Sequence, residues 1–163
     1  MNRKKINLND GNDIIDISKL RAKQKGEVFT PPNLVDKMLD RLPVNTWEKK
    51  DIKILDPCVG ATCVFPIMMM FRFCNGLRDE IPNPAIRVKH IIEEIIYTVE
   101  IDKDSYEYSK GMLIHYAGLL TFFLLLNDSK EIVESIKRKY IENYQGIIDN
   151  FYQEIDSKNK KAS

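Results

Sequence analysis

A chain of 163 residues with 44% hydrophobic residues is large and apolar enough for one domain with a buried core, which excludes intrinsic disorder by composition. Its 25 basic and 24 acidic residues leave a net charge of +1, too little to draw the whole molecule to DNA or to a membrane surface. The basic excess lies at the start, where residues 1–50 hold eleven basic and seven acidic side chains. Such an arm could touch phosphates, although a solvated tail accounts for it more simply.

Residues 1–25 are polar and lysine-rich, with a short apolar patch at Ile14, Ile15 and Ile17. They read as a flexible basic arm, partly ordered near Leu20. In Gly26-Glu27-Val28-Phe29-Thr30-Pro31-Pro32 the two prolines keep the chain extended. A helix is expected from Asn33, with Leu34, Val35, Met38, Leu39 and Leu42 on one face, ended by Pro43. Residues 44–51 read as a loop, and Ile52 to Leu55 as a short strand stopped by Asp56-Pro57. Gly60 marks a turn. A helix follows from Val64 to Asn75-Gly76, tolerating Pro66 in its first turn, with the methionines 68–70 as core packing. After a loop at Pro82 and Pro84, Ala85 to Glu93 reads as a helix. Ile95 to Val99, rich in β-branched and aromatic residues, reads as a second strand ending in Glu100-Ile101-Asp102.

Everything beyond is expected to be helical. The apolar run Met112–Leu126 is shorter than the ~20 residues of a membrane span and reads as a buried helix, so no membrane role is expected. A single helix is expected over Ser129–Ile155, with Val133, Ile136, Tyr140, Tyr144, Ile147, Phe151 and Ile155 along one side. That side packs on its own domain or is offered to a partner; the sequence leaves both open. Cys58, Cys63 and Cys74 are odd in number, form no C-x-x-C pair and stand far from His90 and His115. Reduced, buried thiols in a cytoplasmic protein are expected, and no metal site. The charged N-terminus has no signal-peptide character.

Two strands joined by a helical crossover make a βαβ unit with a parallel pair. Two strands alone leave open edges. Strands borrowed from elsewhere, strands missed in the sequence, or covering helices are therefore expected. Beyond the carboxyl ends of such strands lies the ligand position of open α/β sheets. Here those ends carry Asp56 and Glu100. One carboxylate can pair with a cationic amine and the other can accept hydrogen bonds from ribose hydroxyls, which suits a ligand with an adenosine and an ammonium group. Each acid also has a plain structural reading, Asp56 as a cap before a turn and Glu100 as a surface acid. There is no G-x-G-x-x-G and no G-x-x-x-x-G-K-[ST], which disfavours dinucleotide binding and nucleoside triphosphate hydrolysis.

Three segments together, spanning roughly residues 20–115, resemble adenine-specific DNA methyltransferases whose cofactor segment precedes the catalytic one. Gly26-Glu27-Val28-Phe29-Thr30-Pro31 is similar to their N-terminal motif. Ile54-Leu55-Asp56-Pro57-Cys58-Val59-Gly60-Ala61-Thr62 is similar to their D-P-x-x-G-x-G loop, and Ile96 to Asp102 to their following G-x-E-I-D strand end. The resemblance implies a partial Rossmann-like, class I methyltransferase α/β fold with a helical C-terminal region. The parts would be an arm (1–25), a cofactor-binding domain (26–115) and a helical extension (116–163). It implies S-adenosylmethionine as cofactor. Phe29, Thr30 and Pro31 would line its methionine end, Asp56 would hold its amino group, Gly60 would pass beneath it, Glu100 would bind the ribose, and Ile101 would pack on the adenine.

The sequence departs from the family pattern at Thr62, where the loop's second glycine stands, and at Thr98 before the second acid. A side chain at Thr62 is expected to crowd the cofactor or strain the backbone. The [DNS]-P-P-[YFW] motif that holds the flipped adenine is absent from these residues, so no catalytic residue is assigned. The resulting expectation is a truncated or split methyltransferase, completed by a catalytic partner chain or by a homo-oligomer through the C-terminal helix, and meeting DNA through that partner. The alternatives are a non-catalytic methyltransferase-like regulator, for example in a restriction-modification system, and a plain helical interaction protein.

Overall fold

A computed structural model describes residues 12–161, which form two compact units: Phe29–Ile148, and residues 12–28 with 149–161. In the smaller unit, helix α1 (Asn12–Lys25) occupies much of the expected arm; residues 1–11 lie outside the described residues. Arg21 grips the Glu27 carboxylate with two hydrogen bonds, of 2.8 and 2.7 Å, and lies 5.0 Å over the Phe151 ring. Tyr152 donates to the same carboxylate at 3.1 Å. Glu27, the acid of the N-terminal motif, is thus a structural anchor here.

The larger unit is built around α3 (Val64–Gly76), which begins and ends where the sequence indicates. Ile67, Met68, Met70, Phe71, Phe73 and Cys74 are all buried, because this helix is apolar over most of its surface, with Arg72 and Asn75 alone forming a polar side, and must sit largely inside. Helix α2 (Pro32–Leu39) lies against it through Val35 and Leu39, whereas Leu34, Met38 and Leu42, expected on the same face, remain exposed. Within the expected 44–51 loop, Val44–Glu48 makes one 3-10 turn. Trp47 meets Phe73 edge-on at 5.1 Å and carries the Arg72 guanidinium over its ring. Gly76 lies so close to this turn that an added Cβ would overlap the Trp47 carbonyl. Gly76→Ala is therefore expected to cost about 1–3 kcal/mol, as overpacking does; urea denaturation showing less than ~0.5 kcal/mol would contradict the contact.

Strands β1 (Ile54–Asp56) and β2 (Ile96–Thr98) pair in parallel, Ile54 facing Ile96, Leu55 facing Tyr97 and Asp56 facing Thr98. Both are shorter than the expected 52–55 and 95–99, and they are the sole strands among the described residues. Ile96 is buried and Ile54 half-buried, whereas Leu55 and Tyr97 are exposed, so one face of the pair is open. The crossover from β1 to β2 runs through α3 and α4 (Pro84–His90), which Asn83 caps by accepting from the Ala85 and Ile86 amides. The expected helix through Glu93 ends earlier, and one π-turn (Ile91–Ile95) feeds β2.

Helix α5 (Lys103–Leu126) is capped by Asp102, whose carboxylate accepts from the Ser105 amide at 3.0 Å. Its length and composition would allow a membrane span. Tyr116, Ala117, Leu120 and Leu124, however, belong to the core of this unit. The boundary expected at 115/116 falls inside this helix. The single helix expected over Ser129–Ile155 is two: α6 (Lys130–Glu142) and α7 (Tyr144–Lys161). The break is Asn143, which closes α6 by donating to the Ile141 and Lys139 carbonyls. Val133, Ile136, Tyr140, Tyr144 and Ile147 nonetheless fill the core of the larger unit, while Phe151 and Ile155 are buried in the smaller one.

Arg87 is fully buried. It donates to the Ile81 carbonyl at 3.0 Å and to the Asp128 carboxylate at 2.6 Å, and Arg78 joins the same carboxylate at 3.2 Å. These bonds fasten α4 to the α5–α6 connection. Of the cysteines, Cys63 and Cys74 are buried free thiols, and burial pushes Cys74 up to about 12. Cys58 is exposed, against expectation, because it follows Asp56-Pro57 on the surface of the loop.

Candidate cofactor site

The parallel ladder continues past both strands and knits their ends together. The Val99 amide donates to the Asp56 carbonyl at 2.9 Å, and the Val59 amide returns a bond to the Val99 carbonyl at 3.1 Å. Gly60 then donates to Glu100 Oε2 at 2.9 Å, while Glu100 Oε1 accepts from the Asp102 amide at 2.9 Å. Glu100 is therefore held between the two loops. Each of its oxygens accepts one backbone bond and retains a second lone pair for another donor. Gly60 turns the chain with a φ of +63°, a conformation that glycine adopts without strain.

Asp56 caps its own turn, accepting the Cys58 amide on Oδ1 at 3.1 Å. Its other oxygen, Oδ2, is buried and has no hydrogen-bond partner. Burial raises the Asp56 pKa from its ordinary value; the Cys58 amide lowers it, and the Glu100 charge adds a further rise. A buried carboxylate oxygen of this kind calls for a cation or a strong donor. Ile101, next to Glu100, is fully exposed, so its apolar side chain stands free beside the two acids.

The backbone strain that the departure at Thr62 suggests is not at Thr62 itself. Its φ is not positive, and the left-handed residue is Cys63, with a φ of 53° at the start of α3. The strain expected at Thr62 is displaced by one position, where it costs about 1–3 kcal/mol. The Thr62 side chain is buried and its hydroxyl lies 3.0 Å from that of Tyr144. Tyr144 in turn donates to the Thr30 carbonyl at 2.9 Å. This bond brings the N-terminal motif to the loop after β1, with Phe29 and Thr30 half-buried and Pro31 exposed. The sequence singles out Asp56 and Glu100 at the strand ends but not Tyr144. Its position on a long amphipathic pattern signalled a side that packs on its own domain or meets a partner, with no link to the site.

The N-6 DNA methylase family profile matches residues 14–129. The chain belongs to that family. An uncharacterized adenine-specific methylase of Mycoplasma pneumoniae is 34% identical over 80 residues, covering 47% of this chain and 19% of the relative. The chain thus spans about a fifth of that relative's length. No solved structure matches. The N-6 DNA methylase match contains all three segments of the sequence resemblance, together with Asp56, Gly60, Glu100 and Ile101. Methyltransferases of this family generally depend on S-adenosylmethionine.

Proposed function

We propose that this chain supplies the S-adenosylmethionine-binding part of a DNA adenine methyltransferase built on the class I α/β plan. The observation that carries the reading is the buried, partnerless Asp56 Oδ2, near Glu100 at the carboxyl ends of two parallel strands. That pair fits the cofactor's polar groups. Asp56 would take the ammonium, Glu100 the ribose hydroxyls and exposed Ile101 one face of the adenine. Phe29, Thr30 and Pro31 would border the methionine end, and Gly60 lets the backbone run close beneath. The cofactor would bring an electrophilic methyl group. The groups that hold and orient the adenine amine are not among these residues, so DNA recognition and the reacting geometry come from outside them.

A panel of ligands in thermal denaturation tests this reading. S-adenosylmethionine at 100 times its dissociation constant should stabilise the fold by ~2.7 kcal/mol. In a domain of this size that raises Tm by roughly 5–10 °C. ATP and NAD at equal concentration should leave Tm unchanged. A rise with ATP equal to that with S-adenosylmethionine would contradict the proposal, as would no rise at millimolar S-adenosylmethionine. The last outcome would favour a non-catalytic relative.

A further inference from the structure

We infer that Tyr144 is a positioning residue for this site: its hydroxyl fixes the spacing between the Phe29–Pro31 segment and the Gly60–Thr62 loop, the two walls at the methionine end. The inference rests on the cofactor reading above.

Three segments far apart in sequence meet at one oxygen. Tyr144 has a single hydroxyl proton, and the Thr30 carbonyl can only accept, so that proton goes to Thr30. The Thr62 hydroxyl must then donate to Tyr144. Thr30, Tyr144 and Thr62 form a directed chain with no freedom in its polarity. The Tyr144 ring is itself fixed, edge-on to Tyr140 at 5.9 Å, and Tyr140 reaches the Thr62 carbonyl at 3.5 Å. Thr62 and Tyr144 are both buried, so water does not readily replace a lost partner.

This arrangement also gives a reason for Thr62 at a position where the family pattern has glycine. With an ordinary φ and its hydroxyl turned to Tyr144, Thr62 spends its side chain on the bridge. Glycine there would leave Tyr144 with the Thr30 carbonyl alone. Threonine and Tyr144 therefore work as a pair, one supplying the donor and the other the relay.

The test compares native chain with Tyr144→Phe, Thr62→Val, Thr62→Ser and the Tyr144→Phe/Thr62→Val double variant. Calorimetry is run with S-adenosylmethionine and with 5′-methylthioadenosine, which lacks the amino-acid end. Tyr144→Phe and Thr62→Val should each weaken S-adenosylmethionine about tenfold, the worth of one buried hydrogen bond. Methylthioadenosine affinity should stay within about twofold of native. The double variant should be no worse than either single one, because the two hydroxyls act as one unit. Thr62→Ser, which keeps the hydroxyl, should bind like the native chain.

Equal losses for both ligands would overturn the positioning role, as would a folded Tyr144→Phe protein with native S-adenosylmethionine affinity. If the native chain binds neither ligand, the cofactor reading itself fails. Hydrogen exchange on the free proteins then decides the bridge separately. Tyr144→Phe should speed exchange at Phe29 and Thr30 and in residues 60–63 together, and unchanged protection there would overturn it.

Discussion

Asp128→Ala is expected to destabilise the protein by about 3–5 kcal/mol, the cost of leaving a buried charge without its partner. Arg87 is fully buried and its guanidinium has one carboxylate, Asp128, to balance it. Its Nε is already buried without a hydrogen-bond partner. Loss of Asp128 would leave the Ile81 carbonyl as its remaining acceptor among the bonds described. Native domains are stable by only about 5–15 kcal/mol, so this loss is a large share of the total. Urea denaturation measures it directly, and a cost below ~1 kcal/mol would show that the pair is not a structural fastener. Arg87→Met with Asp128→Leu should recover part of the loss, because apolar replacement of both partners removes the burial penalty along with the attraction.

Asp56→Asn is expected to separate binding from stability. The amide oxygen can still accept from the Cys58 amide, while the charge that would face the ligand ammonium disappears. S-adenosylmethionine affinity should fall about 10–100-fold, as expected for losing a charged hydrogen bond. The free protein should be at least as stable as the native chain at neutral pH. Burial first, and the Glu100 charge after it, raise the Asp56 pKa in the folded state above its ordinary 3.8. The native state then holds this proton more tightly than the unfolded state. The Asp56 contribution to stability is present in acid and is lost as pH rises from 3.8 through the raised value. At neutral pH its ionised form is a cost that asparagine removes. Thermal melts at neutral pH check the sign, and a less stable Asp56→Asn protein would contradict it. For the same reason, cofactor affinity should fall as pH drops through that raised value, since the ammonium needs the ionised acid.

Most of what positions the site can be read from the residues alone. Asp56-Pro57 must stop a strand and Gly60 must turn the chain, while Val64–Gly76 is too apolar to lie anywhere but inside. Those local rules place both acids at the ends of a parallel pair. Less legible features depend on tertiary context. Asn143 is an acceptable helix residue by propensity, so the break between α6 and α7 left little trace within a continuous apolar pattern. The exposed Leu34 and Met38 share a periodicity with buried Val35 and Leu39, and periodicity does not say how wide the covered stripe is. At Thr62 the family pattern shows only what glycine permits, and says nothing of what a threonine hydroxyl meets. The hydroxyl that meets it, that of Tyr144, lies 82 residues away in sequence and comes near only in the folded chain. Arg87, an unremarkable cation in sequence, proved to be among the largest fully buried side chains of the described residues.

On the proposed function, Asp56 and Glu100 frame a working S-adenosylmethionine site. Calorimetric titration of S-adenosylmethionine into the native chain and into Asp56→Asn is the decisive measurement. The expected result is saturable one-to-one binding by the native chain, weakened about 10–100-fold in the variant. A folded native chain that gives no binding heat at millimolar ligand, or an Asp56→Asn protein that binds as tightly as native, would contradict it.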